Sequence, residues 1–333
     1  MNNRPIDKIR NSGGSITLPS DTGGITDMGE INGALHLIGG SAIYRVQLAD
    51  EIDPQRTNVT IPNTHQKVLS YGTDHLFVRQ TLMTARRLFN DNVLNSVFDC
   101  KTGINLSFEV LLDMAAMRDI IEKMHDKLKQ VSEEMKNIAV DQRSVKIPSM
   151  GDARGEAKAF LQKADHVTVT LFNIAKLFYS DTIGPRWFES LHNLISEKYK
   201  KDSPFTKFLE TVLPFLKFMR NARNAMEHPD KTKGIKVIDI LLLPSGELRP
   251  PSIEIIHPET PQSSVSLLGL MEQITNQLAT VFEIMLVHLC DVNVQSFAGM
   301  PLIVIEYDEN QQKAFKCRYG YASRIGNKLI PFG

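Results

Sequence analysis

Residues 107–138 read SFEVLLDMAAMRDIIEKMHDKLKQVSEEMKNI. Val110, Met114, Met117, Ile121, Met124, Leu128, Val131, Met135 and Ile138 recur at alternating steps of four and three, with charge on the other faces. That spacing is a heptad seam over about four heptads, the mark of a long helix with one apolar stripe. Ser107 is placed as its N-cap, with Glu109 in the first turn. The same step recurs in Ala157, Phe160, Ala164, Val167, Leu171, Ile174 and Phe178, and again in Leu267, Met271, Ile274, Leu278, Val281, Met285 and Leu289, with Ser263 or Ser264 as the cap of the last. Three striped helices must bury their stripes against one another, and an antiparallel bundle is the simplest solution. The fold class expected is therefore mainly α: an antiparallel helical bundle with small β hairpin elements and a β/loop-rich N-terminal region.

Outward from the seams, helical periodicity runs from Asp74 to about Asp291. A helix is expected from Pro185 to about Lys200, proline being favoured in a first turn. The next begins near Ser203-Pro204, with Phe205, Phe208, Val212, Phe215, Met219 and Met226 as its stripe. Pro214 is expected to kink or split it, and Pro229 ends it by His228. Ile235–Leu243 and Ser252–Ile256 read as a hairpin joined by Pro244-Ser245-Gly246, and Leu302–Tyr307 with Ala314–Tyr321 as another. Residues 1–72 hold short apolar runs, Ala34–Ile38 and Ala42–Leu48, between the turn signals Gly13-Gly14, Gly23-Gly24 and Gly39-Gly40, which fits short strands or a loosely held arm. The domain expectation is an N-terminal region over 1–72, a helical bundle over 73–295 with a hairpin insertion at about 235–256, and a C-terminal hairpin over 296–333.

Composition narrows the function classes. The chain has 333 residues, 42% apolar, with formal charge balanced at zero, enough for a sizeable core and too neutral for a protein coated in positive charge. Cys100, Cys290 and Cys317 are isolated and odd in number, so neither a disulfide framework nor a zinc knuckle is expected. With no apolar leader after MNNRPIDKIR, and with Glu283 and His288 interrupting Val281–Leu289, the expectation is a cytoplasmic protein without a membrane partner. No HExxH, Walker loop, GxSxG or GxGxxG occurs, and no metal or cofactor is called for.

The segment Arg220-Asn221-Ala222-Arg223-Asn224-Ala225-Met226-Glu227-His228-Pro229 carries the chemistry. Arg223 lies four residues beyond Met219 of the apolar stripe, where leucine would be expected, and a charge on such a face needs a partner or a task. A guanidinium, an amide and an imidazole thus collect at one helix end. Those groups suffice to cut RNA without metal. Imidazole takes the 2′-hydroxyl proton or protonates the leaving 5′-oxygen near neutral pH. A guanidinium stabilises the charge that builds on phosphorus.

Arg223-Asn224-x-x-x-His228 resembles the R-x4–6-H motif of the HEPN family, in which a polar residue often follows the arginine. The resemblance implies a helical bundle over roughly residues 105–292 and a metal-independent endoribonuclease of the toxin or phage-defence kind. It leaves 2′,3′-cyclic phosphate ends and acts as a homodimer whose two motifs form one composite site. His228 would be the acid/base, Arg223 the phosphate ligand and Asn224 an orienting amide. The chain departs from one toxin branch by carrying Asp230 where that branch has tyrosine.

Between Ser196 and Lys236, ten Lys/Arg stand against five acidic residues, and Arg220, Lys217, Lys231 and Lys233 are the candidates for RNA contact. Arg79, Arg86 and Arg87 extend that surface or form a solvated face. Arg186 with His192 fits the loose motif but lacks the asparagine and reads as a surface pair. His166 reads as exposed beside Asp165, and His288 as a core histidine. The competing reading is a non-catalytic dimeric helical module that binds RNA or nucleotide, or a regulatory protein partner. In it Arg223 pairs with Glu227 and His228 is a helix-terminal cation.

Overall fold

Turn residues, not an apolar stripe, organise the start of the chain. The computed structural model describes residues 4–12, 16–94, 98–136, 144, 146–179, 187–326 and 328–332. They divide into two units, residues 1–108 with 294–333 and residues 109–293. After helix α1 (Pro5–Asn11), strands β1 (Ile25–Ile31), β2 (Ala34–Gly39) and β3 (Ile43–Gln47), helix α2 (Ala49–Ile52) and strand β4 (Thr64–Leu69) follow. The four strands form one antiparallel sheet in sequential order. Asn32 and Gly33 both hold positive φ (50° and 73°) between β1 and β2, as a tight two-residue hairpin turn requires. Leu37, Ala42, Tyr44 and Val46 form the buried core under this sheet, with Ile16, Leu18 and Leu35 packed on it. A helical run then comprises α3 (Leu76–Val78), a π turn (Arg79–Met83) and α4 (Thr84–Leu88).

Helix α5 (Cys100–Lys136) starts seven residues before the expected cap. The Asp99 side chain holds its first turn, accepting from the Thr102 backbone at 2.9 Å, while the Ser107 hydroxyl bonds back to Gly103 inside the helix at 2.7 Å. Helices α6 (Ala153–Tyr179), α7 (Trp187–Tyr199) and α8 (Pro204–Glu227) follow, then β5 (Gly234–Ile238), the short pair β6 (Leu241–Leu242) and β7 (Leu248–Arg249), β8 (Ser252–Ile256), β9 (Gln262–Ser266) and α9 (Leu267–Asp291). Helix α6 packs on α8 and α9, and α7 on α8. The stripes of α5, α6 and α9 are buried from Val110 to Met124, Ala157 to Ile174 and Leu267 to Leu289, at roughly 1.5–3 kcal/mol per large side chain. Strands β5, β8 and β9 form a three-stranded antiparallel sheet in that order. Its Ile253 lines one small apolar cavity together with Ala157, Phe160 and Leu161 of α6 and Leu270 of α9.

The first unit is completed by β10 (Leu302–Glu306), α10 (Glu309–Phe315), β11 (Tyr319–Ile325) and β12 (Lys328–Pro331), the strands forming a third antiparallel sheet.

The expectation of a mainly α helical bundle is overturned. Among the described residues about 52% are helical and 20% are strand, in four antiparallel sheets of which one has four strands, so the class is α+β. Residues 1–72 supply a sheet where short strands or an arm were expected. The inserted hairpin gains a third strand, β9, exactly where its backbone pairs with β8, so the cap of α9 moves from Ser263 or Ser264 to Ser266, which accepts from Gly269 at 3.2 Å. The C-terminal hairpin is a three-stranded sheet with α10 between its first two strands, and Ala314 belongs to α10. Pro214 neither splits nor ends α8. Burial of Leu209, Val212 and Leu216 around it outweighs one lost hydrogen bond and a strained turn, together about 3 kcal/mol. Gly13-Gly14, Ile138, the Pro185 helix start and Arg186 lie outside the described residues.

Candidate functional site at the end of helix α8

Ser203 caps α8 by accepting from the Thr206 backbone at 3.2 Å, and Pro204 fills its first turn. At the other end Ala222, Ala225 and Met226 continue the buried stripe. Arg223 does not: its side chain is 37% exposed, on the flank of the helix. The buried face advances from Met219 by three residues to Ala222, which turns Arg223 outward. His228 terminates the helix with φ −131° and donates its backbone N–H to Asn224 at 2.9 Å. Its side chain is exposed, and among the described residues its ring makes no hydrogen bond.

The three motif residues are thus gathered at one helix end. Arg223 donates to the Asn224 Oδ1 at 3.2 Å, and its Nε lies 3.7 Å from Asp165 Oδ2 on α6. Burial pushes the Asp165 carboxyl up from the ordinary carboxylate range, against the pull of Arg223 and Arg220. Glu227 does not pair with Arg223. It accepts from Gln162 at 2.5 Å and lies 3.4 Å from Lys158, and against the upward push of burial these two hold it below the usual value.

The four basic candidates are placed less freely. The Arg220 guanidinium stacks over the Trp187 ring at 5.3 Å. Lys217 pairs with Glu259 at 2.6 Å, from the turn between β8 and β9. Lys233 lies 3.8 Å from Asp230, whose carboxylate is held low by the Thr232 backbone and hydroxyl and by the Lys233 backbone. Lys231 is exposed in that turn. The local surplus of positive charge is therefore drawn down by Glu254 and Glu259, which fold against Lys236 and Lys217 from beyond the basic stretch.

Sequence reasoning missed two carboxylates. One is Asp165. The other is Asp113 of α5, 4% exposed, which bonds through Oδ2 to the Nδ1 of His166 and through Oδ1 to Lys163 at 2.8 Å. Asp113 stands three residues after Val110 and four before Met117, on the face of the seam, and that spacing was the signal for its burial. His166 is exposed over 55% of its side chain, as expected, but is anchored.

Of the remaining candidates, Arg79 has its Nε buried without a hydrogen-bond partner among the described residues, and the others have structural partners. Arg86 reaches Asp27 at 2.5 Å, and Arg87 the Tyr307 hydroxyl at 2.8 and 2.9 Å. His288 stacks on Phe205 at 5.2 Å, and burial lowers its pKa. His192 lies 3.4 Å from Glu210. Among the described residues no group of three or more His, Cys, Asp or Glu is placed to hold a metal ion, and no helix is long and apolar enough to cross a membrane.

Comparison with protein-family models, with curated proteins and with solved structures finds no match for the chain.

Proposed function

We propose that the end of α8 is the site of a HEPN-type, metal-independent endoribonuclease that acts as a cytoplasmic homodimer. The observation that carries this reading is that Arg223 and His228 are both solvent-accessible at one helix end. Arg223 is steadied by Asn224 and Asp165, and the His228 ring is free of hydrogen-bond partners among the described residues. A phosphodiester placed there meets a bidentate cation and a group able to transfer protons. The seam of α5 is buried within the chain from Val110 to Met124, so the second protomer has to approach by another face.

A second reading, a non-catalytic module that binds RNA or nucleotide, draws on Asp165 and Glu227. Their charge lies where a phosphate would approach, and Asp165 already occupies one edge of Arg223. The test is cleavage of a mixed RNA pool in EDTA by the wild type, Arg223→Ala and His228→Ala. Chelator-resistant cleavage with 2′,3′-cyclic phosphate ends, lost in both variants, supports the nuclease. A folded wild type that binds RNA and leaves it intact favours the module. Equal cleavage by all three proteins overturns the site.

A further inference from the structure

Transesterification moves two protons, one off the 2′-hydroxyl and one onto the 5′-oxygen, and α8 offers one imidazole. Helix α6 of the same unit offers a second. His166 of α6 has its Nδ1 fixed on Asp113, a carboxylate 6% exposed at the side chain, whose other oxygen is held by Lys163 at 2.8 Å. The ring itself is exposed. With Nδ1 engaged, Nε2 is the nitrogen left to meet a substrate, and the carboxylate behind the ring fixes its tautomer and stabilises the imidazolium after it takes a proton.

Position along α6 matters as much as chemistry. Helices α6 and α8 run side by side, tied by Gln162 to Glu227 and by Asp165 to Arg223. Glu227 precedes His228, so His228 sits near the level of Gln162. His166 is four residues further, one turn or about 5.4 Å along the axis, beside the residue that holds Arg223. The guanidinium is therefore placed at the level of one imidazole, with the other about a turn away.

We infer that His166, oriented by Asp113, is the general base that opens the reaction in the same protomer, with His228 as the acid. This rests on the nuclease reading of α8. The 2′-oxygen gives its proton to His166 Nε2 and bonds to phosphorus. The bond from phosphorus to the 5′-oxygen breaks, and His228 donates its proton to that oxygen. The products are a 2′,3′-cyclic phosphate and a 5′-hydroxyl, with no other reactant. Asp113 is a positioning residue, since it acts through the ring.

An RNA that the wild type cuts, made with either oxygen or bridging sulfur at the 5′ position of the scissile phosphate, separates the roles. A thiolate leaves without a proton. His228→Ala is expected to lose about 10²–10⁴-fold on oxygen and to recover on sulfur. His166→Ala is expected to lose a similar factor on both. His166→Gln keeps a hydrogen bond to Asp113 and the wild-type melting midpoint, and is expected to be as slow as the alanine variant. Asp113→Asn is expected to lower kcat with KM unchanged.

Folded His166 variants that cut at wild-type rate, while His228→Ala and Arg223→Ala are inactive, overturn the base and leave the nuclease standing. Recovery of His166→Ala on sulfur overturns the assignment of roles. A folded wild type that cuts no RNA overturns the nuclease reading and this inference with it.

Discussion

Two pairs of arginines, Arg86 with Arg87 in the first unit and Arg220 with Arg223 in the second, began as candidates for RNA contact, and the surroundings of Arg86 and Arg87 separate them from Arg223. In the first unit Arg86 lies across β1, bonded to Asp27 and to the Met28 carbonyl at 3.0 Å, where a Cβ on Gly29 would stand 2.6 Å from its guanidinium. Arg87 spends its donors on the Tyr307 hydroxyl and on the Phe332 carbonyl at 3.2 Å, with the Phe315 ring 4.2 Å from its guanidinium carbon. In the second unit Arg223 has a 3.7 Å ion pair and one hydrogen bond to its sequence neighbour. A guanidinium carries five donors, so Arg87 is filled by its own fold while Arg223 keeps donors for a ligand. Occupancy of donors, more than exposure, distinguishes a structural arginine from an available one.

The sharpest way to break this contrast is to remove one member of each pair. Arg223→Ala is expected to cost about 10²–10³-fold in RNA cleavage and to change the unfolding free energy by less than about 0.5 kcal/mol. Arg87→Ala is expected to lose about 2–3 kcal/mol in urea unfolding and to cleave normally per folded molecule. Reversal of the two profiles would abolish the distinction. Gly320→Ala sharpens it, because the new Cβ would stand 1.9 Å from the Tyr307 hydroxyl and push it off Arg87. The expected loss is about 1–3 kcal/mol, read from the same unfolding curves.

Asp165→Asn tests the other side. The folded-state pKa of Asp165 is raised, so the folded chain binds its proton more tightly than the unfolded chain does. Its ionisation therefore costs stability as pH rises from the ordinary carboxylate range through the raised value. The variant is expected to melt higher than wild type at pH 7, with the gain vanishing toward pH 3, and to bind RNA more tightly because Arg223 loses its competitor. A variant that melts lower at pH 7 would show that the ion pair outweighs burial. The smallest effect expected is that of Lys217→Ala, because its partner Glu259 is as exposed as it is and solvent screens the pair. RNA affinity should fall less than about threefold, with the salt slope reduced by at most about one, as salt titration of binding would show.

Legibility in the sequence followed the same division. The stripes of α6 and α9 were read residue by residue because each is buried on one face for about five turns or more. The first sheet was not, since its register comes from a two-residue turn and from pairing, and β1 alternates poorly between buried and exposed positions. Helix α10 falls mostly in the connection of the expected hairpin, with only Ala314 and Phe315 in its second strand, although Asp308-Glu309-Asn310-Gln311 spells a capping box, which forms with the Gln311 backbone donating to Asp308 at 2.9 Å. At the site, the motif residues were legible because they are contiguous. Asp113 and Lys163 were not, since 50 residues separate partners that only the packing of α5 and α6 brings together.

The first unit is built from both flanks of the second. During synthesis, all of residues 109–293 are polymerised before Tyr307 and Tyr321 exist to meet Arg87 and the Leu88 carbonyl. At roughly 5–20 residues per second, the last stretch takes seconds to make. For that interval the Arg223 site can already be folded while the unit around it in sequence is still waiting for its final sheet.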